Sequence, residues 1–202
     1  MTTFKVQKLR ENEKYFDKWA NYYDRSLFQF WMKRFYKPAL SHVTTLGSVL
    51  DVSCGTGQFL QELRKREKSA LYGTDISSKM LSIARKKLEK KVDIKKADVH
   101  CLPFPDEKFE YVVSTESFHH YYNQKKALHE MKRVTKRDGK VIIVDVNFFS
   151  LLIHRLFEKF EPGCVKINSK KRMKELFKEA NLKEIMQQRS FIFSILTVGK
   201  KQ

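Results

Sequence analysis

The chain has 202 residues, 42% of them hydrophobic and 32% charged, and carries a formal net charge of +18. That length suits one domain with a sizeable core, and no apolar run approaches the ~20 residues that a membrane-spanning helix needs. Cys54, Cys101 and Cys164 are too widely spaced to suggest a disulfide framework, and Met1-Thr2-Thr3-Phe4-Lys5 lacks the apolar core of a secretion signal, so a cytoplasmic protein is expected.

Residues 11–46 carry aromatic residues at helical spacing, namely Tyr15, Trp19, Tyr22, Tyr23, then Leu27, Phe30 and Trp31. This pattern predicts a helical cap over residues 1–46, with Pro38 starting or interrupting its second part. The remaining 47–202 form the core of the same single domain, in which apolar runs alternate with amphipathic segments. Strands are expected near 48–53, 70–75, 92–97, 110–115 and 140–146, and helices near 58–66, 77–90, 124–136 and 169–180. Such alternation argues for a parallel sheet covered on both faces. Asp138-Gly139 is a turn signal ahead of Val141-Ile142-Ile143-Val144, and the runs Lys183–Ser190 and Ile192–Gly199 predict a closing hairpin. Residues 147–165 fit the core pattern less well. With Phe149, Leu151, Leu152, Leu156 and Phe160, they read either as a helix packed on the sheet edge or as a small apolar insert with a basic surround that covers a lipophilic substrate.

The chemistry concentrates in Asp51-Val52-Ser53-Cys54-Gly55-Thr56-Gly57, where an apolar run ends in a small-residue loop that opens the helix Phe59-Leu60-Gln61-Glu62-Leu63. Gly55 and Gly57 let the backbone turn sharply beside a ligand, and the helix start offers unpaired N–H groups. The loop alone leaves a nucleotide phosphate and an adenosine cofactor equally open. The next apolar run ends in Asp75, about twenty residues on, where a carboxylate reaches ribose hydroxyls. A third run ends in Asp98. Loop, acid and acid thus share one sheet edge, where open α/β folds bind ligands.

This ordered set resembles the class I S-adenosylmethionine-dependent methyltransferases, in particular the small single-domain group acting on quinones, lipids and small molecules. The resemblance covers roughly residues 12 to 199. In the family's hydrophobic-Asp-hydrophobic-Gly-x-Gly-x-Gly motif, Asp51, Gly55 and Gly57 match, while Ser53 replaces the first Gly and gives up some freedom to adopt positive φ. Leu102–Tyr111 matches the group's linker into its fourth strand. The resemblance implies a three-layer Rossmann-like α/β sandwich, its seven-stranded mostly parallel sheet ordered 3-2-1-4-5-7-6 with strand 7 antiparallel. It implies S-adenosylmethionine as cofactor and S-adenosylhomocysteine as product. Asp51 then lies near the methionine end, Asp75 takes the ribose, Ile76 lies against the adenine and Asp98-Val99 reads its amino edge, with Ser53, Cys54, Gly55 and Gly57 in the cofactor loop. Read alone, Asp51 could brace the loop, Asp75 cap the helix from Ser77 and Asp98 be a turn residue. Ser114 and Thr115 end the fourth strand where that family's backbone meets the methionine portion, and Tyr23-Asp24 resembles a pair that closes over the cofactor. Met80 either touches the adenine or fills the core.

His119 and His120 are the candidate general base for a hydroxyl or phenol acceptor, against a structural role for either. No metal is expected, because the histidines and scattered cysteines lack usable ligand spacing. The implied activity is methyl transfer to a small-molecule or lipid-like acceptor. The charge of +18 leaves two alternatives open, since lysines spread over solvated faces and a surface for RNA or an anionic membrane look alike in sequence. A non-catalytic cofactor-binding partner of another enzyme is the third reading.

Overall fold

The computed structural model describes residues 3–24, 26–44, 47–66 and 70–202. Its centre is one seven-stranded sheet: β1 (Ser48–Val52), β2 (Ala70–Asp75), β3 (Asp93–Lys96), β4 (Phe109–Thr115), β5 (Thr135–Val146), β6 (Lys183–Phe191) and β7 (Ser194–Lys200). The order is β3-β2-β1-β4-β5-β7-β6, with β7 antiparallel to both neighbours and all other pairs parallel. This is the arrangement that the resemblance implied. Central strands are buried on both faces, which is why they read as unbroken apolar runs. Successive side chains alternate between two cores. Val49, Val113, Ile142 and Val144 face α3 (Gln58–Lys65) and α4 (Ser78–Leu88). Leu50, Val112, Val141 and Ile143 face α5 (Gln124–Val134) and α7 (Lys170–Glu179).

The N-terminal region holds α1 (Thr3–Trp19) and α2 (Ser26–His42), joined by a turn at residues 20–24. The side chains of Leu27 and Trp31, part of the aromatic pattern, lie outside the described residues. Pro38 neither starts nor interrupts a helix, contrary to expectation; α2 runs through it to His42. A proline inside a helix costs ~3 kcal/mol. Burial of Phe35, Tyr36 and Leu40 against the α3–α4 side of the sheet offsets that cost, at ~1.5–3 kcal/mol for a large apolar side chain. α2 is therefore part of a helix layer, while α1 lies over the strand ends.

Two further differences have local causes. The Asp138-Gly139 turn does not precede β5 but sits within it. Asp138 takes φ +62, and the ladder slips between the pairs Phe109↔Thr135 and Tyr111↔Lys140. Residues 147–165 contain a helix, α6 (Leu151–Phe160), capped by the Ser150 hydroxyl on the Leu152 N–H. It is not packed away as an edge helix would be. His154 is its one buried residue, while Leu151, Leu152 and Phe160 are exposed at 67%, 65% and 70%.

Candidate active site

β1 carries Asp51 to the sheet edge, and the chain then turns through three left-handed residues, Ser53 (φ +60), Gly55 (φ +53) and Gly57 (φ +78). Serine thus adopts the conformation that the missing glycine would have favoured. A left-handed residue costs ~1–2 kcal/mol. The Ser53 hydroxyl lies 3.0 Å from the Tyr121 hydroxyl, which also lies 3.0 Å from Ser114 Oγ, and a hydrogen bond returns ~1 kcal/mol. The loop is braced from β2: the Gly55 N–H donates to Asp75 Oδ2 at 2.9 Å, and the Ser77 N–H donates to Asp75 Oδ1 at 2.8 Å. Ser77, not Asp75, caps α4, accepting from the Met80 N–H. Asp75 is left with acceptor capacity for a further pair of donors.

Strand ends, α1 and the α1–α2 turn enclose a cavity of about 910 Å³, its open mouth included. Tyr23, Asp51, Ser53, Cys54, Gly55, Asp75, Ile76, Met80, Asp98, Val99, Thr115 and His120 all line it. Gly57, Ser114 and His119 do not: Gly57 caps α3, Ser114 is bound to Tyr121, and His119 is held by Asp145. Asn12, Phe16, His100, Glu116, Tyr121 and Tyr122 also form the wall, without having been singled out in the sequence. An adenosyl sulfonium amino acid fits this lining on two observations. Asp51 Oδ1 is buried with no hydrogen-bond partner among the described residues, as a carboxylate awaiting an ammonium would be. A Cβ on Gly55 would meet nothing within 4 Å, so the loop presents bare backbone to open space.

Residues 50–143 match the family model described as "Methyltransferase domain". An uncharacterized protein of Methanocaldococcus jannaschii is 32% identical over 195 residues, covering 92% of this chain and 89% of its own length. The chain belongs to the class I S-adenosylmethionine-dependent methyltransferases. A demethylmenaquinone methyltransferase of Thermotoga maritima is 37% identical over 99 residues, 48% of this chain, and this chain spans only 43% of that relative's length. Two solved structures share the fold. One is the partner of the Haloferax volcanii methyltransferase activator Trm112 (TM-score 0.77, 22% identity, 92% of this chain and 96% of that one). The other is an S-adenosylmethionine-dependent methyltransferase of Thermotoga maritima (TM-score 0.75, 21% identity, 94% and 99%).

In this methyltransferase the cofactor-side acids differ electrostatically. Burial, with the nearby Asp75 charge, pushes the Asp51 carboxyl well above the usual range. Burial likewise raises Asp75 to about 6, although the Ser77 and Gly55 N–H groups pull the other way. Burial also acts upward on Asp98. There it is outweighed by the His100 ring at 2.5 Å, the His100 N–H at 3.0 Å and the Tyr122 hydroxyl at 3.0 Å, so Asp98 stays below the usual range. Because His100 Nε2 accepts the Asn123 N–H at 3.3 Å, its Nδ1 carries the proton given to Asp98. Asp98 thus makes the contacts of a turn residue and also lines the cavity.

The histidine pair of the methyltransferase divides. Both sit on a short 3-10 turn, Phe118–His120, just after β4. His119 Nδ1 lies 2.6 Å from Asp145 Oδ1. Burial works against its charge, but Asp145 and Glu161 prevail and raise it to about 10. Burial and the His119 charge instead push His120 well below the ordinary value. Of this pair, His120 offers the cavity a neutral imidazole, while Glu116 beside it is raised by burial to about 8.

Tyr23 is seated by its neighbour. Asp24 Oδ1 accepts from Thr56 Oγ1 (2.9 Å), Gln58 Nε2 (3.1 Å) and Lys87 Nζ (2.8 Å), tying the α1–α2 turn to the glycine loop. Replacing Tyr23 by Ala is expected to weaken S-adenosylmethionine binding about tenfold, the scale of one aromatic contact. Titration calorimetry checks this, and unchanged affinity would remove Tyr23 from the closure.

Proposed function

We propose that this protein transfers a methyl group from S-adenosylmethionine to a small lipophilic acceptor of the quinone class, taken from an anionic membrane surface. The methyl-transfer part is supported by the convergence of Asp51, Asp75 and Asp98, from three consecutive strand ends, on one cavity. The cofactor supplies an electrophilic methyl on a sulfonium. The protein's share is orientation, worth ~7–11 kcal/mol in well-positioned reactions, and exclusion of water. Asp51 would hold the ammonium, Asp75 the ribose and Asp98 the adenine amino edge, with Ile76, Met80 and Val99 against the ring. His120 is the residue placed to take a proton from the acceptor.

The acceptor class rests on α6. Its uncovered Leu151, Leu152, Ile153, Leu156 and Phe160 are interspersed with exposed Arg155 and Lys159, and Arg189 lies 4.0 Å over the exposed Phe149 ring. An apolar face flanked by cations suits a helix lying in a membrane interface. The C-terminal end of α6 reaches the cavity wall, because Glu161 lies 3.8 Å from His120. The demethylmenaquinone methyltransferases among the relatives point to the same acceptor class.

Methyl-labelled cofactor, a demethylated naphthoquinone and vesicles with or without anionic lipid test this. Labelled quinone is expected, with anionic vesicles accelerating the reaction. The double variant Leu152→Glu/Phe160→Glu should lose about tenfold or more of the vesicle-dependent rate, since each apolar side chain contributes ~1.5–3 kcal/mol of burial. Label in added RNA instead of quinone would move the basic surface to nucleic-acid binding. Cofactor binding without transfer to either would favour the non-catalytic reading.

A further inference from the structure

We infer that His119, His120 and Glu161 form a binding site for one transition-metal dication of the Zn²⁺ class, set into the wall of the methyl-transfer cavity. Their ligand atoms lie within 4.8 Å of one another. His119 Nε2 is 3.5 Å from Glu161 Oε2, and His120 Nε2 is 3.8 Å from Glu161 Oε1. Among the described residues His119 Nε2 and Glu161 Oε2 are both buried and neither makes a hydrogen bond, their mutual 3.5 Å contact being too long for a good one. Leaving such groups unpaired costs ~1–3 kcal/mol each, so their convergence implies something that satisfies them together.

What surrounds the three residues is the second coordination layer of a metal site. Asp145 holds His119 Nδ1 at 2.6 Å, which fixes the ring with Nε2 directed at Glu161, the carboxylate–histidine arrangement found behind metal-ligating imidazoles. The backbones are fixed as well: Val165 and Lys166 N–H groups donate to the His119 carbonyl, and Asn12 Nδ2 donates to the His120 carbonyl. At ~2.0–2.1 Å from a tetrahedral ion, ligand atoms stand ~3.3–3.5 Å apart, so atoms lying within 4.8 Å of one another need draw together by about 1.5 Å at most. An ion bound there displaces any proton on His119 Nε2, and that proton leaves to solvent. Two imidazoles and one carboxylate suit Zn²⁺, Co²⁺ or Fe²⁺ over Mg²⁺ and leave a fourth position open. His120 lines the cavity, so that position adjoins the acceptor space, and with the ion bound His120 Nε2 is a ligand and does not act as the base.

Titration of the metal-free full chain with Co²⁺, followed by its visible d–d bands, tests the site. A Cys101→Ser background removes the exposed thiol. One Co²⁺ per chain with no thiolate charge-transfer band is expected, displaced by Zn²⁺. Glu161→Gln and His119→Asn should weaken binding at least 100-fold, and Asp145→Asn, which touches no ligand position, about 10- to 100-fold. S-adenosylmethionine binding, measured on the same samples, reports that each variant is folded, so the metal site and the methyltransferase reading fail separately. Absence of stoichiometric Co²⁺ uptake would overturn the site. So would uptake that survives both ligand substitutions in variants that still bind the cofactor.

Discussion

Replacing Asp75 by Ala is expected to weaken S-adenosylmethionine binding by about 100-fold or more. Two hydrogen bonds from ribose hydroxyls to a buried carboxylate contribute ~1.5–3 kcal/mol each, and even their lower sum corresponds to that factor. The substitution also removes the acceptor for the Gly55 and Ser77 N–H groups, which brace the loop and the start of α4. Burial raises Asp75 from the usual 3.8 to about 6. Because the ionised form is the better acceptor, affinity should be greatest above pH 6 and fall as pH drops through it. The sign for folding is opposite. A carboxyl with a raised folded pKa contributes stability below its unfolded value and loses that contribution as pH rises through about 6. Thermal shifts with and without cofactor at several pH values separate the two effects. The Asp17 charge also raises Asp75, and Asp75 in turn raises Asp51, so the comparison is with Asp75→Asn, which keeps the shape and should flatten the limb near pH 6.

What could be read from the sequence follows from how local each feature is. Strand ends carrying Asp51, Asp75 and Asp98 were legible because an apolar run stops abruptly at an acid, and a parallel sheet aligns such ends without further information. The closing β6–β7 hairpin was legible for the same reason. Pro38 misled because its local cost is visible in sequence, whereas the burial of Phe35, Tyr36 and Leu40 that outweighs it depends on the whole helix layer. Likewise α6 displays its apolar stripe in sequence, but nothing in the stripe says that no other element covers it. The convergence of His119 and His120 with Glu161 and Asn12 was hidden, since these residues come from α1, the turn after β4 and the end of α6. His100 and Tyr122 were missed although both engage Asp98. Their ring stacking at 3.7 Å depends on two loops that no pattern links.

The two loop glycines should fail in different ways when each is changed to Ala. Gly57→Ala is expected to lower stability by about 2–5 kcal/mol, combining ~1–2 kcal/mol for a left-handed residue with ~1–3 kcal/mol for overpacking. Its φ is +78, and the new Cβ would stand 2.7 Å from Leu88 Cδ1 and 3.3 Å from Ala84 Cβ. Both neighbours are fully buried on α4, so relief requires the Leu88 side chain to shift within the core. At ~2–4 °C per kcal/mol for a chain of this size, Tm should fall roughly 4–20 °C. The cofactor affinity of the molecules that remain folded should change little, because Gly57 is not on the cavity wall. Gly55→Ala reverses the pattern. Its φ of +53 is strained, but its Cβ meets nothing within 4 Å, so the stability loss is confined to the ~1–2 kcal/mol of the left-handed turn. That methyl group instead projects into the space assigned to the cofactor, and binding should collapse. Equal loss of Tm in the two variants, with equal affinity, would mean that the loop is packed as a unit and that Gly55 does not face the cofactor.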